Sequence, residues 1–267
     1  MGMPIGTPAP SLKWRSIGLP VEHGGWGFTI EPILLGLLVA ASAAGWEISV
    51  AALAVFLARR PVKLVATDLV RRRWLSRTKL AAGFVAGYGL LALAGLVGAV
   101  VTAEAAFWQP LALALPLGAV AIYADAHSRS RTLLAELSGS IAMGSTVTMI
   151  ALAGGEGATA AFGLWLVLAA RAVASVVLVR GQIRRVHDKP VREPVIYSVQ
   201  VLTLAVMVAA AFGEVVPWPA VAAIGAIGLL AVGSLRRPPI AAKTVGWTQI
   251  LVGLGVVLLT AIGTWAS

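Results

Sequence analysis

The chain has 267 residues, 59% of them hydrophobic and only 12% charged, with a mean hydropathy of +0.90. Soluble domains carry roughly a quarter charged residues, so a soluble enzyme, a disordered region and a secreted module are excluded and an all-α, polytopic membrane helix bundle is implied. The absence of cysteine removes disulfides, thiolate catalysis and iron–sulfur clusters, and the net charge of +10 makes the placement of the basic residues the next question.

Residues 1–26 read as a cytoplasmic or interfacial N-terminal segment and residues 27–267 as a single transmembrane domain. The opening segment has no apolar run of the kind a cleavable signal needs. It ends in Glu22-His23-Gly24-Gly25-Trp26-Gly27, where glycines permit close backbone approach and Trp suits the membrane interface. His23 is therefore a candidate binding residue, against the alternative of a solvated His beside an interfacial Trp anchor. Apolar runs separated by charge then predict nine spans, over 27–44, 48–70, 80–101, 106–123, 132–153, 158–180, 194–213, 216–234 and 244–265. The second is the least ordinary, because its apolar run stops at Ala58 and Arg59-Arg60-Pro61 follows. Arg236-Arg237-Pro238 repeats that pattern after the eighth span, and both triplets are expected to close helices.

The connections alternate in charge. After even-numbered spans they are basic; after odd-numbered spans come short turns around Glu47, Glu104, Glu156 and Glu214 with no Lys or Arg. With the even-numbered connections taken as Arg59 to Lys79, from where the second apolar run stops, Asp125 to Arg131, Arg180 to Glu193 and Arg236 to Lys243, only Arg171 of the 21 Lys and Arg residues falls outside them and the segment before the first span. The positive-inside rule then places the N-terminus in the cytoplasm and the C-terminus outside. The basic balance thus reports orientation and contact with anionic lipid, and nucleic acid is not an expected partner.

Ionisable groups at membrane depth are costly and usually face the bundle interior. Arg171 lies about 13 Å, nine residues at 1.5 Å each, from Arg180 at the end of its span. Glu136 and Glu31 each sit about one turn into their spans. Burial of Arg171 against a carboxylate is expected, with Glu136 preferred over Glu31, and these three form the candidate catalytic set. Helical phase puts Arg129, Thr132, Glu136 and Ser140 on one face. Arg171, Ser175, Gln182, Arg185 and Lys189 share another, with Arg180 opposite. Arg60, Lys63, Thr67 and Arg71 form a stripe beside Asp68, and Tyr197, Gln200 and Thr203 add polar groups to the seventh span. Lys243, Trp247 and Gln249 do so at the start of the ninth. Together these describe a polar chamber open to the cytoplasm and closed outside, with Arg60, Lys63, Asp68, Arg180, Arg184, Asp188, Tyr197 and Gln200 as binding candidates. Against this stand a purely structural Arg–Glu pair and basic residues that only snorkel to headgroups.

Glu22-His23-Gly24-Gly25-Trp26 entering the first span, with Arg59-Arg60-Pro61 and the run from Arg180 to Arg185, resembles the YwiC-like family of bacterial membrane proteins. That resemblance implies a class and no chemistry. More distantly, nine spans with an inside N-terminus resemble the UbiA superfamily of intramembrane prenyltransferases, in which two aspartate-rich motifs in loops 2–3 and 6–7 hold Mg²⁺ and a prenyl diphosphate. The motifs differ here: loop 2–3 offers only Asp68, and loop 6–7 only Asp188 with Glu193. Such isolated carboxylates suit at most a weakly held, hydrated Mg²⁺, whereas the basic stripes suit phosphate. The leading reading is a UbiA-like protein binding or modifying an isoprenoid or phospholipid-type substrate, with loops 2–3 and 6–7 converging over the chamber. The alternatives are a non-catalytic assembly subunit, packed around one satisfied Arg–Glu pair, and a small-solute or proton-coupled transporter.

Overall fold

Every predicted span becomes a helix in the computed structural model, which describes residues 14–20, 23–127 and 129–266. A short helix α1 (Trp14–Gly18) precedes α2 (His23–Val39), α3 (Ala43–Val70), α4 (Ser76–Thr102), α5 (Trp108–Ala126), α6 (Leu133–Ala153), α7 (Ala158–Val186), α8 (Glu193–Phe212), α9 (Trp218–Leu235) and α10 (Ala242–Ala266). There is no strand among the described residues. Seven helices, α4 to α10, are long and apolar enough to cross a membrane; α2 is short, and α3 turns polar after Ala58.

The two Arg-Arg-Pro triplets behave differently. Arg236-Arg237-Pro238 follows the end of α9, but α3 runs through Pro61 for nine further residues. Proline costs a helix one N–H donor, and here Pro61 is buried within a helix that continues to Val70. The polar stripe of α3 is thereby carried beyond the apolar part of the bundle on an unbroken helix.

α3 and α4 form the most extensive antiparallel pair, and they approach closely because Gly95 has no side chain: a Cβ there would meet the Glu47 carbonyl oxygen. α6 is central, packing on α2, α3, α5 and α7, and its residues from Gly144 to Ala153 are all buried. A first apolar core joins Leu35, Ile48, Val147, Ile150, Leu164 and Val257; a second joins α7 to α8, α9 and α10 around Val167, Met207, Ile224 and Val256. Leu90, Leu93, Val97, Val100 and Val101 of α4 are exposed, as are Leu229, Leu251 and Leu258. So much exposed aliphatic surface marks a contact surface, and on helices of this length that surface is lipid. The connections gather at two ends, one carrying the basic residues and the other the four glutamate turns.

Candidate functional site

At the centre of the bundle Arg171 of α7 meets Glu31 of α2, with Nη2 donating to Oε1 at 2.9 Å. The two side chains are 3% and 5% exposed. Nη2 also donates to the Gln249 carbonyl at 2.9 Å and Nη1 to Gln249 Oε1 at 3.4 Å, so α10 closes the site. The guanidinium lies 5.3 Å from the centre of the Phe28 ring, on the turn preceding Glu31. A glycine is required at position 253, because a Cβ there would occupy the space of the Glu31 carboxylate. Arg171 Nε and Ser175 Oγ, one turn apart, are buried with no partner among the described residues.

This corrects the preferred pairing of Arg171 with Glu136. Glu136 instead accepts from Arg180 Nη1 at 2.8 Å, in a half-exposed pair. The reason is axial register. α6 starts at the basic end and α7 finishes there, so Glu136 in the first turn of α6 lies level with Arg180. Arg171 is about 13 Å further in. Glu31 reaches that depth because α2 starts at His23, placing Glu31 about two turns into the helix rather than one.

The stripe on α3 forms one wall of a cleft of about 370 Å³ at the basic end. Among the described residues four cations line it, Arg59, Arg60, Lys63 and Arg77, with two carboxylates, Asp68 and Asp125. Each carboxylate holds one arginine. Arg59 Nε donates to Asp125 Oδ2 at 2.7 Å, and Arg77 Nη2 donates to Asp68 Oδ1 at 2.8 Å. Arg77 and the Thr78 hydroxyl, which donates to Asp68 Oδ2 at 2.7 Å, hold the Asp68 carboxyl below the usual carboxylate range. The surplus falls on Lys63, which donates to Ser130 Oγ at 3.2 Å, and on Arg60, which has no hydrogen-bonding or ionic partner among the described residues. Phe56 completes the wall, with Trp26 packed edge-on against it at 5.0 Å.

The remaining predicted residues stand elsewhere. Arg184 Nε donates to the Pro190 carbonyl at 2.9 Å, and Asp188 is exposed in a left-handed turn after α7. Gln200 Nε2 donates to the Ala174 carbonyl at 2.8 Å, and Tyr197 packs on the Leu178–Ile196 cluster. The side chain of His23 lies outside the described residues. Among the described residues loops 2–3 and 6–7 do not share a cleft: α6 packs against both α3 and α7, and neither the α3 cleft nor one lined by α7, α9 and α10 holds residues from both loops. Both oxygens of Asp68 already accept hydrogen bonds, and among the described residues no group of three or more His, Asp or Glu side chains is placed to hold a metal ion. Sequence reasoning counted Gln249 among the polar groups of the chamber without pairing it with Arg171, and left Phe28, Arg77 and Asp125 out of the site. Gln249 and Gly253, one turn apart in α10, were the available signal for a helix face fitted around a buried group.

The fold and this arrangement define a polytopic membrane protein with an intramembrane ion pair and clefts at its basic end. Residues 19–151 match the family model of the YwiC-like proteins, so this part of the chain is similar to that family. The matched stretch includes Glu31, Glu136 and the whole lining of the cationic cleft; Arg171 and Gln249 lie beyond it. No curated protein and no solved structure matches the chain.

Proposed function

We propose that this protein spans the bacterial cytoplasmic membrane nine times, N-terminus inside, and holds a phosphate-bearing lipid at its cytoplasmic, basic end. The headgroup is that of an isoprenoid phosphate or a phospholipid. The observation that carries the reading is the charge surplus among the described residues of the α3 cleft: two carboxylates are each spent on one arginine, and Arg60 and Lys63 remain. Like charges held together repel unless an anion neutralises them. A guanidinium with a fork of donors beside a compact ammonium suits a phosphate. Gly25, in the first turn of α2, lies in the same lining and adds the positive end of a helix.

The UbiA-like element of the proposal is the set of nine helices, α2 to α10, with basic loops at one end, and it extends to no prenyl transfer. Glu31, Arg171 and Glu136 do not line the cleft, so no catalytic role is assigned to them. The test is the lipid content of the purified protein, read by native mass spectrometry after exchange against phosphatidylglycerol or a polyprenyl monophosphate. Wild type should retain one of them. Arg60→Ala with Lys63→Ala should release it, and Arg184→Ala should not. A second reading, the non-catalytic assembly subunit, draws on the sealed Glu31–Arg171 pair and packed α6. It takes over if no anionic lipid is retained and the double substitution changes nothing.

A further inference from the structure

A second, larger cleft of about 570 Å³ lies between α7, α9 and the start of α10. Gln182, Arg185 and Gln249, read from the sequence as chamber residues, line it, and among the described residues it shares none with the cationic cleft. Its deep wall is aliphatic, with Leu178, Ile227 and Val245 buried, and its outer wall includes Leu229 and Leu230, which face the lipid surface. At its mouth stand Arg185 and Arg237, and no carboxylate among the described residues lines it. Arg185 shapes that mouth: Nη1 donates to the Ser234 carbonyl at 2.9 Å and Nη2 to the Arg237 carbonyl at 2.8 Å, tying the end of α9 to α7. The cleft reaches Val252, ten residues into α10, which is about 15 Å of helix. That is roughly half the ~30 Å hydrocarbon core, the depth of a single leaflet.

We infer that this cleft holds the chain of one membrane lipid of the basic-end leaflet, with an anionic headgroup at Arg237. Shape, depth and charge agree on such an occupant. An aliphatic slot open to the side and one leaflet deep is filled by a lipid chain, and a cationic mouth without a carboxylate selects a negative headgroup over a zwitterion. The volume lies within the ordinary range of small-ligand sites, roughly 300–1,000 Å³. Gln249 stands in the lining while its carbonyl and side chain hold Arg171, so the chain rests against the residue that closes the buried pair. The site is independent of the α3 headgroup proposal, since neither Arg60 nor Lys63 is involved.

Gly233 supplies a clean test. It lines the cleft, and a Cβ added there meets nothing within 4 Å, so a larger side chain enters the slot without backbone collision. The full chain in membrane vesicles is photolabelled with diazirine-bearing phosphatidylglycerol, phosphatidylcholine or a polyprenyl monophosphate, and cross-links are mapped by mass spectrometry. Phosphatidylglycerol or the polyprenyl phosphate should label the 226–252 segment, the better of the two fixing the headgroup source, and phosphatidylcholine should label it weakly. Gly233→Leu should abolish the label while Gly87→Leu, equally open but on α4, leaves it. Arg237→Gln should lower it about tenfold, the worth of one charge-assisted contact. The chain has no cysteine, so Thr248→Cys reports directly on hydration of the slot. Rapid modification of that thiol by a membrane-impermeant reagent in lipid-replete vesicles would overturn the proposal in favour of a water-filled path. So would equal labelling by all three lipids, or labelling that survives Gly233→Leu.

Discussion

Replacing Glu31 with leucine leaves the Arg171 guanidinium buried without its counter-charge. Breaking a buried pair from one side costs about 3–5 kcal/mol. Arg171 keeps the Gln249 carbonyl, Gln249 Oε1 and the Phe28 ring, which sets the expectation at the low end, about 3 kcal/mol. The companion pair gives the scale. Arg180 and Glu136 are 39% and 33% exposed, and Glu136→Ala should cost at most ~1 kcal/mol, as surface pairs do. The double substitution Glu31→Leu with Arg171→Met removes both charges, and an apolar replacement of a buried pair is close to neutral, so it should recover most of the lost stability. Equilibrium unfolding in mixed micelles by SDS titration measures all four proteins. The reasoning is refuted if Glu31→Leu costs no more than Glu136→Ala, or if the double variant is as unstable as the single.

Gly253→Ala should destabilise by about 1–3 kcal/mol, as overpacking does, because its Cβ enters the Glu31 carboxylate; the same unfolding assay reads it, with Gly255→Ala, whose Cβ meets nothing within 4 Å, as the neutral control. Asp68 lies beyond the apolar part of α3 and its carboxyl is held low by Arg77 and Thr78. Its contribution to stability is therefore complete above the ordinary carboxylate pKa of about 3.9 and lost as pH falls through the lowered folded value. The stability gap between wild type and Asp68→Asn, followed by thermal unfolding, should be constant above pH ~5 and shrink only below pH ~4. A C-terminal reporter active only in the cytoplasm should stay silent; activity there would mean an even number of spans.

Class and element order were legible in the chain itself, because hydropathy and helical period are local properties. The nine apolar runs, the glutamate turns at one end and the basic connections at the other follow from composition read residue by residue. The burial of Arg171 was equally legible, since a guanidinium two and a half turns inside an apolar helix has to face the interior. Its partner was not. One helical turn is 5.4 Å, so the choice between Glu136 and Glu31 depends on axial register between helices and on where α2 begins. The glycines of His23-Gly24-Gly25-Trp26-Gly27 weaken the local signal for a helix, yet α2 forms there and is held by packing on α6 and α10. The same holds for the clefts. Helical phase placed Arg60 and Lys63 on one stripe with Asp68 beside it, but only the packing of α3 against α5 and α4 brought Asp125 and Arg77 to it. The position of α6 kept Arg180 and Arg184 away, because which faces meet is decided by the fit of whole helix surfaces and not by any single sequence.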